Sequence, residues 1–143
     1  MSAGRTRTGT RSRATKETSI EVRLDLDGSG TTDCRTGIPF YDHMLDQLGR
    51  HGGFDLTVHA DGDLHIDTHH TVEDVAIALG EAFKEAVGDK AGVRRFASGL
   101  YPLDEALIEV ALDLSGRPFV AWDVEMPESL PLGNPAFDPQ LAE

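Results

Sequence analysis

The sequence has a single cysteine, few aromatic residues and no long apolar run. Because Cys34 stands alone among 143 residues, no disulfide can form within the chain, which is typical of proteins from a reducing compartment. No stretch approaches the roughly 18 consecutive apolar residues of a membrane-spanning helix. The arginine-rich N-terminus also lacks the apolar segment of a signal peptide. We therefore predict a cytoplasmic protein without a membrane partner.

Several catalytic motifs are absent as well. The sequence contains no glycine-rich phosphate loop, no Gly-x-Ser-x-Gly nucleophile motif and no Cys-x-x-Cys pair. Cys34 lies in a polar, strand-like stretch that gives no sign of an activated thiol. Chemistry that depends on these motifs is therefore poorly supported.

Charge is distributed unevenly along the chain. The formal net charge is −12, yet residues 1–16 include five basic residues and no acidic one. We predict that residues 1–15 are a disordered, solubilising basic leader. The alternative is an arm that contacts nucleic acid, but this segment has no aromatic residue to stack on bases and is attached to an acidic body that repels phosphates. We therefore expect no nucleic-acid partner.

Apolar periodicity predicts both strands and helices. Alternating apolar residues predict strands at 20–26, 54–60 and 64–66. Glycine-containing turns predict that the first strand enters a hairpin and that Asp61-Gly62 joins the other two as a second hairpin. Helical spacing predicts a short helix near residues 40–50 and a longer one at 71–87.

The chain is similar to itself at an offset of 88 residues. The segment 20–28 matches 108–116 at seven of nine positions, and Glu17 falls on Glu105. Any two amphipathic strands share apolar residues, but the shared Glu, Asp and Gly favour a duplication. We therefore predict a first half-repeat at 16–92 and the beginning of a second, truncated one at 93–143.

Two histidines and a glutamate at the start of the longer helix are candidate metal ligands. His69 and His70 precede Glu73 by four and three residues, so the three side chains can project to one side of a helix. Imidazole nitrogen together with a carboxylate suits Mn, Fe, Co, Ni or Zn. Asp67 and Asp74 are candidates to fix the histidine tautomers. A solvated helix start that complements the macrodipole is the alternative.

Four other polar residues are weaker candidates for a functional site when each is considered alone. His43 lies on the short helix outside its apolar stripe, where a histidine is usually a surface residue, and His51 beside two glycines fits a helix end. Arg95 and Arg117 lie in loop-like surroundings where a guanidinium can grip a phosphate through two hydrogen bonds. Ordinary surface arginines explain both equally well.

Several segments together resemble one enzyme family. They are Lys16-Glu17-Thr18, Thr36-Gly37-Ile38-Pro39-Phe40-Tyr41-Asp42-His43-Met44-Leu45, Gly62-Asp63, His69-His70-Thr71-Val72-Glu73-Asp74, Gly88-Asp89-Lys90, Arg94-Arg95-Phe96, Pro102-Leu103-Asp104-Glu105 and Asp113-Leu114-Ser115-Gly116-Arg117-Pro118. In this order they are similar to imidazoleglycerol-phosphate dehydratase, an enzyme of histidine biosynthesis. The resemblance runs from about residue 16 to Glu143.

The resemblance implies a fold, a cofactor and an assembly. The fold is α+β, with duplicated βαβ-type half-domains whose helices pack on one face of a mixed β-sheet, similar to domain 2 of ribosomal protein S5. Family members bind two Mn²⁺ ions per active site, and their sites form between the subunits of a twenty-four-subunit shell. We therefore expect a manganese-dependent homo-oligomer that acts on a small phosphorylated imidazole.

The resemblance also implies roles for individual residues. The residues that resemble metal ligands are His43, His69, His70 and Glu73. Glu17 resembles the acid/base carboxylate and would share catalysis with His43, His70 and Glu73. The residues that resemble substrate contacts are Glu17, His43, Gln47, His51, His69, His70, Glu73, Arg95 and Arg117, of which the two arginines would bind the phosphate.

These implications lead to an expected activity and one alternative. We expect a lyase that dehydrates imidazole glycerol phosphate to imidazole acetol phosphate, a reaction that requires stabilisation of carbanion-like charge and proton transfer by a carboxylate. Family members carry a second His-His-x-x-Glu helix that this chain lacks, so only four of eight ligand groups are expected here. The alternative is a catalytically inactive, truncated metal-binding fragment, and we expect Glu143 to be an artificial end.

Overall fold

The computed structural model describes residues 6–126 and 131–143, which form two compact units. The first unit comprises the described parts of Met1–Gly88 and Val124–Glu143, and the second comprises Asp89–Asp123. The helices and strands are β1 (Thr8–Ala14), β2 (Thr18–Asp25), β3 (Thr32–Arg35), α1 (Pro39–Gly52), β4 (Asp55–Gly62), α2 (His69–Val87), β5 (Phe96–Leu103), β6 (Ala106–Asp113) and a 3₁₀ helix (Pro139–Ala142). None of the helices in these ranges has the length and apolar character needed to cross a membrane.

A mixed four-stranded sheet forms the framework of the first unit. Its strand order is β1-β2-β4-β3, in which β3 runs parallel to β4 and the other pairs are antiparallel. The predicted hairpin after β2 is wrong, because β2 pairs with β1 and β4 while the chain beyond the turn enters β3. The predicted return strand at 64–66 is also wrong. Ile66 donates its backbone N–H to the Asp63 carbonyl in a turn, and two apolar residues are too short a signal for a strand.

Both helices pack on the same face of this sheet, which confirms the α+β class and its one-sided helical layer. Ile20, Val22 and Leu24 alternate inward along β2 and are almost completely buried. They contact Leu45 of α1 and a stripe on α2 that includes Val75 and two alanines. Small side chains on α2 allow the helix to approach the sheet closely, so the start of α2 has a fixed position over β2.

Residues 8–14 form β1, which corrects the prediction of a disordered leader over 1–15. All seven residues pair with β2, from Thr8 opposite Asp25 to Ala14 opposite Ser19. The basic side chains are ordered by acidic partners, since Arg11 Nη1 lies 2.6 Å from Glu85 Oε2 and Arg13 Nε lies 2.7 Å from Asp74 Oδ1. The sequence contains no apolar alternation here, so these pairings could not be anticipated. Residues 1–5 of the predicted leader lie outside the described residues.

The C-terminal segment of the first unit packs beside the start of α2. Phe137 is buried and its ring centroid lies 5.5 Å from that of Phe40 and 5.7 Å from that of Tyr41. The hydroxyl of Thr68, immediately before α2, donates a hydrogen bond to the Ala136 carbonyl over 2.9 Å. The segment therefore holds the N-terminal ends of both helices.

The second unit contains a hairpin that repeats the geometry of β1 and β2. Phe96 pairs with Asp113, as Thr8 pairs with Asp25. Each residue of the second pair lies 88 positions after its counterpart in the first pair, which is the same offset as in the sequence similarity. This shared register supports the duplication. The predicted half-repeat boundaries at 16–92 and 93–143 remain a prediction.

The close contact between β1 and α2 allows a test of whether residues 8–14 form an ordered strand. A Cβ atom on Gly9 would overlap the backbone carbonyl oxygen of Ala82, which belongs to a rigid helix. We expect Gly9→Ala to lower the free energy of unfolding of the first unit by about 1–3 kcal/mol, measured by urea denaturation. Ser12→Ala, on the exposed side of β1, is the matched control and should leave the midpoint unchanged. An unchanged midpoint for Gly9→Ala would show that β1 does not pack on α2.

Candidate functional site

The predicted metal ligands lie in the first turn of α2. The helix begins at His69, two residues earlier than predicted, and continues to Val87. The backbone N–H of His69 donates to the Asp67 carboxylate over 2.8 Å, which satisfies one of the free N–H groups at the helix start. Asp67 therefore contacts the backbone at the helix start and makes no hydrogen bond to a histidine ring among the described residues.

The side chains of His69 and Glu73 face each other across one turn. Nε2 of His69 lies 4.0 Å from Oε2 of Glu73, and both side chains are largely exposed. The ring centroids of His69 and His70 lie 6.1 Å apart. Within residues 6–126 and 131–143, no group of three or more His, Cys, Asp or Glu side chains is arranged to hold a metal ion. The helix therefore presents suitable donors without enclosing an ion.

His70 is held by a carboxylate from the end of β4. Nδ1 of His70 lies 2.9 Å from Oδ2 of Asp63. This hydrogen bond raises the pKa of His70, and the negative charges of Asp67 and Glu17 add to the effect. The backbone N–H of Asp63 also donates to the carbonyl of Glu17 over 3.1 Å. The turn between β1 and β2, the end of β4 and the start of α2 therefore meet at one place.

Asp74 does not fix a histidine tautomer, which corrects its predicted role. Its buried carboxylate accepts hydrogen bonds from Arg13 Nε over 2.7 Å and from the hydroxyls of Thr15 and Thr18. Burial alone would raise the pKa of Asp74, but the hydrogen bonds from Thr18 and Arg13 outweigh it and lower the pKa below its ordinary value. Asp74 thus ties the first turn of α2 to the turn that carries Glu17.

Three predicted substrate contacts share an exposed face of α1. His43, Gln47 and His51 are spaced four residues apart, so they lie one above another along the helix. His51 Nε2 lies 2.8 Å from Gln47 Oε1, within hydrogen-bond distance. No hydrogen bond or ion pair among the described residues joins His43 to the donors on α2.

The two predicted phosphate-binding arginines belong to the second unit. Arg95 donates two hydrogen bonds to Asp113, of 2.6 Å from Nε and 3.1 Å from Nη2, and stacks over Phe96. The Arg95 guanidinium lowers the pKa of Asp113, and the charge of Arg117 contributes less. The two N–H groups of Arg95 that could bind a phosphate thus already donate to the Asp113 carboxylate.

Asp63 is the residue of this site that sequence reasoning missed. In the sequence it belongs to the segment Gly62-Asp63, and spacing along α2 favours Asp67 and Asp74 instead. Its position at the end of a strand next to the helix start became evident only from the pairing of β2 with β4.

Sequence comparisons identify relatives over most of the chain. A family model described as imidazoleglycerol-phosphate dehydratase matches residues 36–138. The imidazoleglycerol-phosphate dehydratase of Acidothermus cellulolyticus is 66% identical over 114 residues, which cover 80% of this chain and 55% of that protein. That of Dinoroseobacter shibae is 61% identical over 121 residues, or 85% of this chain and 62% of that protein. The chain thus spans little more than half the length of these relatives.

Two solved structures are similar to this chain. The imidazoleglycerol-phosphate dehydratase of Staphylococcus aureus superposes with a TM-score of 0.79 and 28% identity, covering 94% of this chain and 71% of that chain. The Pyrococcus furiosus protein in complex with (S)-C348 gives a TM-score of 0.71 and 33% identity, covering 84% and 63%. These similarities support the α+β fold of this chain.

The single thiol gives a test of the packing of β3. Cys34 lies on β3, and burial raises the pKa of its thiol to about 12, with Asp46 and Asp42 adding to the effect. The reactive thiolate is therefore scarce at pH 8, and we expect iodoacetamide to modify the native chain at least ~100-fold more slowly than the urea-unfolded chain, measured by intact mass. Equal rates in the two states would show that the thiol is not protected by the fold.

Proposed function

Since the chain belongs to the imidazoleglycerol-phosphate dehydratase family, we propose that it contributes the Glu17 and His69-His70-x-x-Glu73 half of an active site that dehydrates imidazole glycerol phosphate in histidine biosynthesis. The observation that carries the proposal is the meeting of Glu17, Asp63 and His70 at the start of α2. This arrangement supports a proton-transferring role for the exposed residue Glu17 beside the oriented imidazole of His70.

The donor set fits a divalent metal ion, and we assign it to Mn²⁺. His69, His70 and Glu73, together with His43, would supply imidazole nitrogen and carboxylate oxygen of suitable chemistry. A bound ion supplies Lewis acidity that stabilises negative charge on the substrate. Because the described donors do not enclose an ion, the remaining ligands would come from outside this chain, either from a second half or from a neighbouring subunit.

The protein groups would transfer the protons and hold the substrate. Glu17 would take the proton from one carbon and return it to the hydroxyl on the neighbouring carbon, which leaves as water and yields the enol of imidazole acetol phosphate. Arg95 and Arg117 would hold the phosphate. The face of α1 formed by Gln47 and His51 would line the site and so position the reacting carbons.

The 143-residue chain alone has a second candidate function. Its partial coverage of the relatives and the open arrangement of donors on α2 favour a chain that binds a divalent metal ion without turnover. In that case assembly into a homo-oligomer and catalysis in the cytoplasm are properties of a longer protein of the family.

A hybrid chain tests the catalytic proposal. The hybrid joins residues 1–138 of this chain to the part of the A. cellulolyticus relative that follows the corresponding position. It should convert imidazole glycerol phosphate to the ketone product in the presence of Mn²⁺. We expect His70→Ala and Glu73→Gln each to lower turnover and Mn²⁺ binding at least ~100-fold, because each removes a ligand. Product formation and Mn²⁺ titration are the measurements.

The matched control in the hybrid is His65→Ala, an exposed histidine in the turn after β4, which should retain activity. Residues 1–143 alone should show no turnover. A folded hybrid that binds Mn²⁺ but leaves the substrate unchanged would disprove the dehydratase assignment, as would full activity in either ligand variant.

A further inference from the structure

Asp63 occupies a fixed position between the two functional elements of the first unit. Its backbone N–H donates to the Glu17 carbonyl, and its own carbonyl accepts from the N–H of Ile66 over 2.8 Å. The side chain is only 15% exposed, and its carboxylate contacts His70. Backbone and side chain are therefore both constrained.

The contact of Asp63 selects one nitrogen of His70. An ionised carboxylate only accepts hydrogen bonds, so Nδ1 of the neutral ring must carry the proton and Nε2 must carry the lone pair. Nε2 forms no hydrogen bond with any residue that the structure describes, and 44% of the side chain is exposed. The lone pair of Nε2 is thus available to an ion or a substrate.

The same carboxylate has a feature that structural packing alone does not explain. Oδ1 of Asp63 is buried and has no hydrogen-bond partner among the described residues. Removing a carboxylate oxygen from water without a hydrogen-bond partner costs free energy on folding. The hydrogen bond between the other oxygen and the exposed imidazole of His70 offsets only part of this cost. An apolar side chain would fill the position at lower cost, so the carboxylate is better explained by its effect on His70.

We infer that Asp63 is a positioning residue that holds His70 in the Nδ1–H tautomer and presents Nε2 to the metal ion, an inference that rests on the proposed function. Carboxylates commonly fix metal-binding histidines in this way. The two aspartates that sequence spacing suggested for this role make other contacts, Asp67 with a backbone N–H and Asp74 with Arg13 and Thr18.

A second carboxylate–histidine pair provides a matched control. Asp33 of β3 lies 3.0 Å from His59 of β4, but it contacts Nε2 instead of Nδ1. The Asp33 pair should therefore favour the opposite tautomer. Both pairs can be observed in the same spectrum.

The first experiment records long-range ¹H–¹⁵N correlations of the histidine rings in the metal-free 143-residue chain at pH 8.5. We expect His70 to be the Nδ1–H tautomer and to shift to the Nε2–H form, which free imidazole side chains favour, in Asp63→Ala. Asp33→Ala should leave His59 in the Nε2–H form, which the free ring also favours, and should leave His70 as it is. Circular dichroism checks that each variant is folded, and if Asp63→Ala is not, Asp63→Asn should show a mixed tautomer.

The second experiment measures Mn²⁺ affinity of the hybrid chain by the electron paramagnetic resonance signal of free Mn²⁺. Asp63→Ala should weaken binding about 10–100-fold, and Asp33→Ala should not change it. An Nε2–H tautomer in the parent chain, or an unchanged tautomer in Asp63→Ala, would overturn the inference.

The two proposals fail in different ways. A tautomer shift without a change in Mn²⁺ affinity would refute the positioning role while leaving the dehydratase assignment intact. An inactive parent hybrid would refute the assignment and leave the tautomer of His70 as an independent result.

Discussion

The buried carboxylate of Asp74 is the contact on which the candidate site depends. A charge held out of water costs on the order of several kcal/mol unless hydrogen bonds compensate for it, and here the donors come from the first hairpin. Because α2 is rigid, fixing Asp74 also fixes the neighbouring residue Glu73 and the preceding histidines. Thr15 and Thr18, which flank Glu17, are fixed by the same carboxylate. One ionic contact thus sets the separation of the proposed acid/base residue and the proposed ligands.

The duplicated hairpins share a register but differ on the face that carries this contact. The buried residues Ile20, Val22 and Leu24 correspond to Ile108, Val110 and Leu112, which are 46%, 37% and 57% exposed. The side chains that bond Asp74 are also not retained in the second hairpin. Arg13, Thr15 and Thr18 correspond to Tyr101, Leu103 and Ala106. Backbone pairing is therefore common to both copies, whereas the polar contacts that order the site are specific to the first.

The sequence predicts the positions of the helices better than it predicts the pairing of the strands or the polar contacts. Apolar stripes located both helices, because their periodicity depends only on neighbouring residues. β1 was missed because its inward positions are Gly9 and arginines, which are ordered by acidic groups on a helix some sixty to seventy residues away. The partner of His70 was missed for the same reason, since helical spacing indicates a shared face but not which strand end approaches it. Local sequence patterns did not predict which residues from distant parts of the chain contact each other.

Asp63 and Asp113 contact the two proposed ligand-binding groups, His70 and Arg95, in opposite ways. Asp63 contacts the nitrogen of His70 that a metal ion does not need, so binding at Nε2 leaves that hydrogen bond in place. Asp113 instead occupies the two guanidinium N–H groups of Arg95 that a phosphate would use. A phosphate must therefore displace a carboxylate at Arg95, and the lost ion pair offsets part of the gain. His70 would thus be preorganised for the proposed metal ion, whereas a phosphate at Arg95 would have to compete with Asp113.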